Sequence, residues 1–142
     1  MDSRSAVVKL DWAHAAILAG RLCLSAIFLI SGVGKLTSPA ATIAEIQSAG
    51  LPFPALGLVL AAGIELLCGA ALFVGFKVRW AASILAAFTV ATAIFFHSSF
   101  ADPNQLTHFL KNIAITGGLL YVIALGSDTG RWHELGAQPG GR

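Results

Sequence analysis

The sequence contains few charged residues, and this scarcity sets the class of protein. Only 11% of its 142 residues are Asp, Glu, Lys or Arg, whereas a soluble domain usually carries about 25%. Hydrophobic residues make up 56% of the chain, and the mean hydropathy is +0.79. This composition predicts a single-domain integral membrane protein. The net charge of +2 is too small and too dispersed to favour nucleic-acid binding.

Cysteine is nearly absent as well. Cys23 and Cys68 each lie inside an apolar segment, and two isolated thiols make neither a disulfide framework nor a metal site. We interpret them as small packing residues, with a redox pair between neighbouring helices as the alternative. The sequence also lacks a dinucleotide fingerprint, a Walker loop, and flavin, haem, iron–sulfur or zinc motifs. Neither a metal site nor a cleavable signal peptide is expected.

Long apolar runs, by contrast, are abundant. A helix needs about 20 apolar residues to cross the core of a bilayer, and four segments of this chain meet that length. The predicted helices cover about residues 13–36, 55–75, 78–98 and 106–125. The prediction is an all-α membrane four-helix bundle over residues 13–125, between tails at residues 1–12 and 126–142.

A short additional helix is predicted between the first two spans, over about Ser38 to Gly50. Ser38 can cap its start, Pro39 suits its first position, and Gly50 suits its end. The segment is weakly amphipathic, so we expect it to lie in the outer membrane interface. It is either a plain connector or a lid over a site.

The distribution of Lys and Arg predicts the orientation. Seven of the nine lie in or nearest to the N-terminus, the loop between the second and third spans, and the C-terminus. Only Lys35 and Lys111 lie toward the other side. The positive-inside rule therefore places both termini in the cytoplasm. Trp12, Trp80 and Trp132 fall on the same side, where they can anchor a membrane interface.

Ionisable residues inside the spans are the first candidates for function, because such groups are costly at bilayer depth. Given a rise of ~1.5 Å per residue, Arg21 and Glu65 are predicted roughly 12 Å and 15 Å from the cytoplasmic ends of their helices. We therefore predict a structural Arg21–Glu65 ion pair. The alternative is two independent groups, with Arg21 extending to the cytoplasm and Glu65 neutral.

A second set of polar residues is predicted at the outer end of the bundle. Arg21, Ser25, Phe28, Gly32 and Lys35 form one stripe of the first helix. The expected ligand-binding residues are Lys35, His97, His108, Lys111 and Asn112. These groups predict a net positive funnel that suits an anion or a quinone carbonyl. His97, His108 and Glu65 are the candidates for proton transfer.

Several segments together resemble the DoxX family of small membrane proteins. They are residues 28–36, Gly50-Leu51-Pro52, Ile64-Glu65-Leu66, residues 75–79 and residues 108–112. The resemblance covers about residues 17–125 and implies a four-helix fold in the inner or plasma membrane. Some members look like subunits of thiosulfate:quinone oxidoreductases, and others are associated with oxidoreductase complexes that include superoxide dismutase and sulfurtransferase partners. More distant relatives act as membrane chaperones.

Three functions follow as hypotheses. The first is a subunit of a membrane oxidoreductase system that binds a quinone or a small sulfur oxyanion in the outer funnel. Because the chain has no redox-cofactor motif, electrons would pass through bound quinone, the thiols or a redox partner protein. The second is a non-catalytic scaffold or assembly factor whose polar core specifies helix packing. The third is a small transporter, which would need to oligomerise; the small residues of the spans favour a homodimer.

Overall fold

The computed structural model describes the backbone of residues 3–126 and the side chains of residue 12 and residues 14–126. Within this range the chain is entirely helical apart from turns. The helices are α1 (Ser3–Thr37), α2 (Pro39–Ser48), α3 (Pro54–Val74), α4 (Val78–Phe96) and α5 (Pro103–Leu125). Of the predicted C-terminal tail at residues 126–142, only Gly126, which follows α5, is described. Trp132 lies outside the described residues.

Four of these helices are long and apolar enough to cross a membrane, which confirms the predicted fold class. The candidate spans are His14–Thr37, Pro54–Val74, Val78–Phe96 and Pro103–Leu125. The remaining helix, α2, is the predicted short helix between the first two spans. The all-α bundle is therefore confirmed, with an additional helical extension at the start of α1.

The largest differences from the predicted helix ends have local causes. α1 begins at Ser3 rather than near residue 13, since residues 3–12 contain no Pro or Gly to interrupt it. α5 begins at Pro103, because the side chain of Asp102 accepts a hydrogen bond from the Asn104 N–H at 2.8 Å. Ser38 stands at the predicted N-cap position of α2, but its side chain makes no capping hydrogen bond.

The spans pack as an antiparallel series. α1 packs against α3, α3 against α4, and α4 along α5, whereas α1 and α5 make few contacts. The core is a buried cluster contributed by α1, α3, α4 and α5. Its members are Phe28, Leu72, Val78, Ala82, Leu85, Ala86 and Leu119. The short helix α2 packs on α3 through Ile46, which is buried against Gly57.

Two glycines set the register between α1 and α3. A Cβ at Gly32 would lie 2.7 Å from Leu66 Cγ and 3.3 Å from Glu65 Cβ. A Cβ at Gly69 would lie 3.3 Å from side-chain atoms of Phe28 and Leu29. Small residues permit such close approach between membrane helices. The predicted polar stripe of α1 therefore faces α3, with Gly32 at the level of Glu65.

We name the two ends of the bundle after residues of α3 and of the turn that follows it. The Pro54 end contains the start of α3, α2, the end of α4 and the start of α5. The Gly75 end contains the turn between α3 and α4 and the last residues of α5. Gly75 ends α3 with a backbone φ of 84°, a left-handed conformation that glycine adopts at little cost.

Candidate functional site

A buried carboxylate in the middle of α3 is bound by an ammonium group from α1. Glu65 is 5% exposed, and its Oε1 and Oε2 accept hydrogen bonds from Lys35 Nζ at 3.0 and 2.8 Å. Ser31, one helical turn before Lys35, donates from Oγ to Glu65 Oε1 at 3.1 Å and accepts from Lys35 Nζ at 2.9 Å. The three donors of Lys35 are therefore matched by three acceptors in a closed network.

The predicted Arg21–Glu65 pair is wrong, because Lys35 is the partner of Glu65. Arg21 lies at Gly75, where a Cβ on the glycine would be 3.2 Å from Arg21 Nη1. Gly75 lies ten residues after Glu65, or ~15 Å along a helix. The sequence-based depth was counted from an α1 that begins near residue 13. The contacts of Gly32 with Glu65 and of Arg21 with Gly75 set a different register.

A cavity of about 450 Å³ lies above this pair, toward the Pro54 end. Its walls come from all five helices and from the turn before α3. The apolar lining includes Ile46, Leu60, Ile64, Phe88, Phe95 and Phe96, and the polar lining includes Ser31, Lys35, Thr42, Glu45, Glu65, Thr92, His97 and Asn112. The helix α2 contributes Thr42, Glu45 and Ile46, so it forms one wall of the cavity and is more than a connector.

The structure brings three of the five predicted ligand-binding residues to this cavity. Lys35, His97 and Asn112 line it, whereas His108 and Lys111 do not. His108 stacks on His97 with ring centroids 5.0 Å apart, and both His108 and Lys111 are exposed. Helical spacing places His108, Lys111 and Asn112 near one another on α5, but Asn112 alone among the three reaches the cavity wall.

The charge of the cavity also differs from the sequence-based prediction. Among the described residues, Lys35 is the only Lys or Arg whose side chain lines the cavity, and its charge is neutralised by Glu65. The exposed carboxylate of Glu45 contributes a further negative charge. The predicted net positive funnel is therefore wrong, because the second lysine, Lys111, lies outside the cavity lining.

His97 is oriented by a residue that the sequence did not single out. Its Nδ1 lies 2.9 Å from Gln105 Oε1. Because an amide oxygen can only accept, Nδ1 of His97 donates the hydrogen bond in this contact. Gln105 stands three residues before His108 in the first turn of α5. Only the tertiary contact between α4 and α5 identifies its role.

The cavity reaches the surface that faces lipid. Leu60 of α3 and Phe95 of α4 line the cavity and are also 55% and 56% exposed. On a membrane-spanning bundle such exposed apolar side chains contact acyl chains. Leu60 and Phe95 therefore border the cavity at the apolar surface of the bundle.

Both cysteines are free thiols. Cys68 is half-buried and packs against the core cluster, as predicted. Cys23 is exposed on α1, so its predicted role in internal packing is wrong. Within the described part of the chain, no three His, Cys, Asp or Glu side chains are grouped so as to hold a metal ion.

Four apolar spans, a Lys–Glu pair with a buried carboxylate, and a cavity beside that pair define a multi-pass integral membrane protein with a polar centre. The chain belongs to the DoxX family, whose model matches residues 16–98. It is 36% identical to the inner membrane protein YqjF of Escherichia coli K12 over 110 residues, which is 78% of this chain and 83% of the relative. It is 28% identical to the inner membrane protein YphA of the same organism over 116 residues, covering 78% and 82% of the two chains. No solved structure matches the chain significantly.

These matches confirm the family and the location in the inner membrane. The family model includes Ser31, Lys35, Glu65 and His97 but ends before α5. His108, Lys111 and Asn112, which were part of the sequence resemblance, lie beyond it. The ion pair and most of the cavity are therefore built from the part of the chain that the family model matches, while the α5 wall is not.

Proposed function

We propose that the cavity at the Pro54 end binds the ring of a quinone, and that the chain is a quinone-binding subunit of a membrane oxidoreductase system. The observation that carries this proposal is a cavity in which aromatic and aliphatic side chains lie beside polar ones, next to exposed apolar residues of α3 and α4. A volume of about 450 Å³ falls in the range of ~300–1,000 Å³ that is typical of small-molecule sites.

The hydrogen-bonding groups of the cavity favour a neutral ligand. The donors of Lys35 are occupied by Ser31 and Glu65, so this lysine gives no uncompensated charge to an anion. His97 Nε2 and the side-chain amide of Asn112 remain as groups that can bind a ligand. Three phenylalanines, Phe88, Phe95 and Phe96, supply aromatic surface for a planar ring. A sulfur oxyanion fits this lining less well, since Glu45 would repel it.

Each residue has a specific role in this proposal. The Asn112 amide donates a hydrogen bond to a carbonyl oxygen of the ring and orients it. His97, held by Gln105 through Nδ1, exchanges a proton with the bound ring through Nε2, as a general acid or base does. Glu65 is a positioning residue that fixes Lys35 and joins α1 to α3. A bound quinone would supply the redox chemistry, and a partner protein would exchange electrons with it.

We also propose an orientation for the bundle. Lys77 and Arg79 lie at the Gly75 end, and the positive-inside rule places that end in the cytoplasm. The cavity then lies in the half of the membrane away from the cytoplasm. This position suits exchange with a partner that is membrane-bound or outside the cytoplasm.

Quinone binding by purified protein tests the proposal. A short-chain benzoquinone and a short-chain naphthoquinone are titrated into detergent-solubilised protein, and the dissociation constant is measured by calorimetry. His97→Phe keeps the stacked ring but removes its nitrogens, and Asn112→Leu removes the amide. Each change is expected to weaken binding about five- to tenfold, because the loss of one hydrogen bond costs about 1–1.4 kcal/mol of binding free energy.

Two matched variants serve as controls. His108→Phe makes the same ring substitution next to His97, and Lys111→Gln removes a charge next to Asn112, but neither residue lines the cavity. Both should bind quinone within about twofold of the unmodified protein. Unsaturable binding, or equal losses in His97→Phe and His108→Phe, would reject the quinone site. The scaffold hypothesis is favoured instead if substitutions at Glu65 lower folded yield while the cavity variants behave normally.

A further inference from the structure

A second cavity lies at the opposite end of the molecule, on the surface between α1 and α5. It has a volume of about 410 Å³. Its lining is almost entirely apolar and comes from one face of α1 and one face of α5, with Arg21 as its charged residue. It shares no residue with the cavity proposed to bind quinone, so it requires a separate explanation.

The packing of α1 and α5 produces this groove. Leu24 lies against Gly118, where a Cβ would be 3.3 Å from the leucine methyl carbon. One turn earlier on α1, a Cβ at Gly20 would meet nothing within 4 Å. α1 and α5 make few contacts along their length, so the space at Gly20 stays unfilled by protein. Tyr121, 74% exposed, borders the same groove.

Arg21 places a positive charge beside this apolar surface. Its Nε is buried and has no hydrogen-bond partner among the described residues. Its guanidinium lies against Gly75, directly after the end of the candidate span Pro54–Val74, and lipid headgroups are expected at the ends of spans. Arginine binds phosphate through paired N–H groups. An apolar groove that ends at a guanidinium at this depth complements a lipid with an acyl chain and an anionic headgroup.

We propose that the α1–α5 groove is a binding site for an anionic phospholipid. One acyl chain fills the groove beside Gly20 and Gly118, and the lipid phosphate accepts hydrogen bonds from Arg21. Free phosphate does not account for the site, because most of the lining is apolar. The bound lipid joins α1 to α5, the two neighbouring spans that contact each other least.

Lipid retention tests this proposal with the full chain. The protein is purified in detergent, supplied with equal amounts of phosphatidylglycerol and phosphatidylcholine, and analysed by native mass spectrometry and by thermal unfolding. Phosphatidylglycerol should be retained preferentially and should raise the unfolding temperature. Arg21→Gln should reduce that preference about fivefold, the effect of one basic residue at a lipid surface. Gly20→Leu, which fills the groove and keeps the charge, should reduce retention of both lipids.

The control is Lys77→Gln, which removes one charge from the same end of the bundle without lining the groove. It should retain phosphatidylglycerol as the unmodified protein does. Equal losses in Lys77→Gln and Arg21→Gln would overturn the proposal, because they indicate general charge attraction. It is also overturned if inorganic phosphate alone raises the unfolding temperature equally, or if no lipid is retained. A change of oligomeric state in Gly20→Leu without loss of lipid would assign the groove to a second copy instead. If Arg21→Gln does not fold, the proposal is tested by Gly20→Leu alone, and unchanged lipid retention in that variant would overturn it.

Discussion

Replacing Glu65 with leucine is expected to lower the free energy of unfolding by about 3 kcal/mol, the lower end of the range for removing one partner of a buried ion pair. The change leaves the ammonium of Lys35 without a carboxylate, in a position where its side chain is only 23% exposed. It also removes the acceptor of Ser31. The measurement is reversible unfolding in mixed micelles, with a denaturing detergent as the titrant.

A double-mutant cycle separates the pair from the individual residues. Lys35→Met should be destabilising by a similar amount, but the double variant Lys35→Met/Glu65→Leu should recover most of the loss, because it leaves no unpaired charge. The same cycle with Arg21→Gln should be additive, since Arg21 and Glu65 do not meet. Glu45→Gln removes an exposed carboxylate from the cavity and should leave stability within about 0.5 kcal/mol. Additive losses for Lys35 and Glu65 would contradict the observed pair.

The second large effect is expected at Gly32. A Cβ at this position lies 2.7 and 2.9 Å from the Cγ and Cδ2 atoms of Leu66. Gly32→Val adds further methyl groups at a helix contact that has no room for them. We expect a loss of about 2–3 kcal/mol of unfolding free energy, the upper part of the range for overpacking. Because α1 and α3 must then move apart, quinone binding should weaken in the same variant.

Gly34 is a matched control for this prediction. It lies two residues further along the same helix, and a Cβ there meets nothing within 4 Å. Gly34→Val should therefore change the unfolding free energy by no more than about 0.5 kcal/mol. Equal losses of unfolding free energy in the two valine variants would contradict this prediction. The loss would then be explained by helix propensity and not by the close contact between α1 and α3.

Local sequence patterns were enough to predict the secondary structure. The apolar runs are nearly as long as the spans, and Gly50 and Gly75 mark helix ends because each adopts a positive φ. The stripe from Ser25 to Lys35 was correctly assigned to one face of α1, since helical periodicity depends on the backbone alone. The early start of α1 was missed because the prediction began the helix where the apolar run begins.

Contacts between helices were predicted less well, and each error has the same origin. The partner of Glu65 depends on the axial offset between α1 and α3, which the contacts of Gly32 and Gly69 determine. Lys35 was instead assigned to the set of ligand-binding residues at the outer end of the bundle. Ser31 could have indicated the Lys35–Glu65 contact, because it stands four residues before Lys35 and so lies beside it on the helix. Gln105 offered no such signal, since its contact with His97 depends on how α4 and α5 pack.

The sequence by itself determined that this chain spans a membrane four times, belongs to the DoxX family, and carries its polar groups on defined helix faces. These properties depend on composition, hydropathy and residue order within single helices. Only the tertiary structure decided that Glu65 pairs with Lys35, that Lys111 stays outside the cavity, and that Arg21 borders a separate groove. Those outcomes depend on how neighbouring helices are shifted along their axes by a few residues. Such shifts are determined by the steric fit between helices at glycines, and the residue pattern within a single helix does not reveal them.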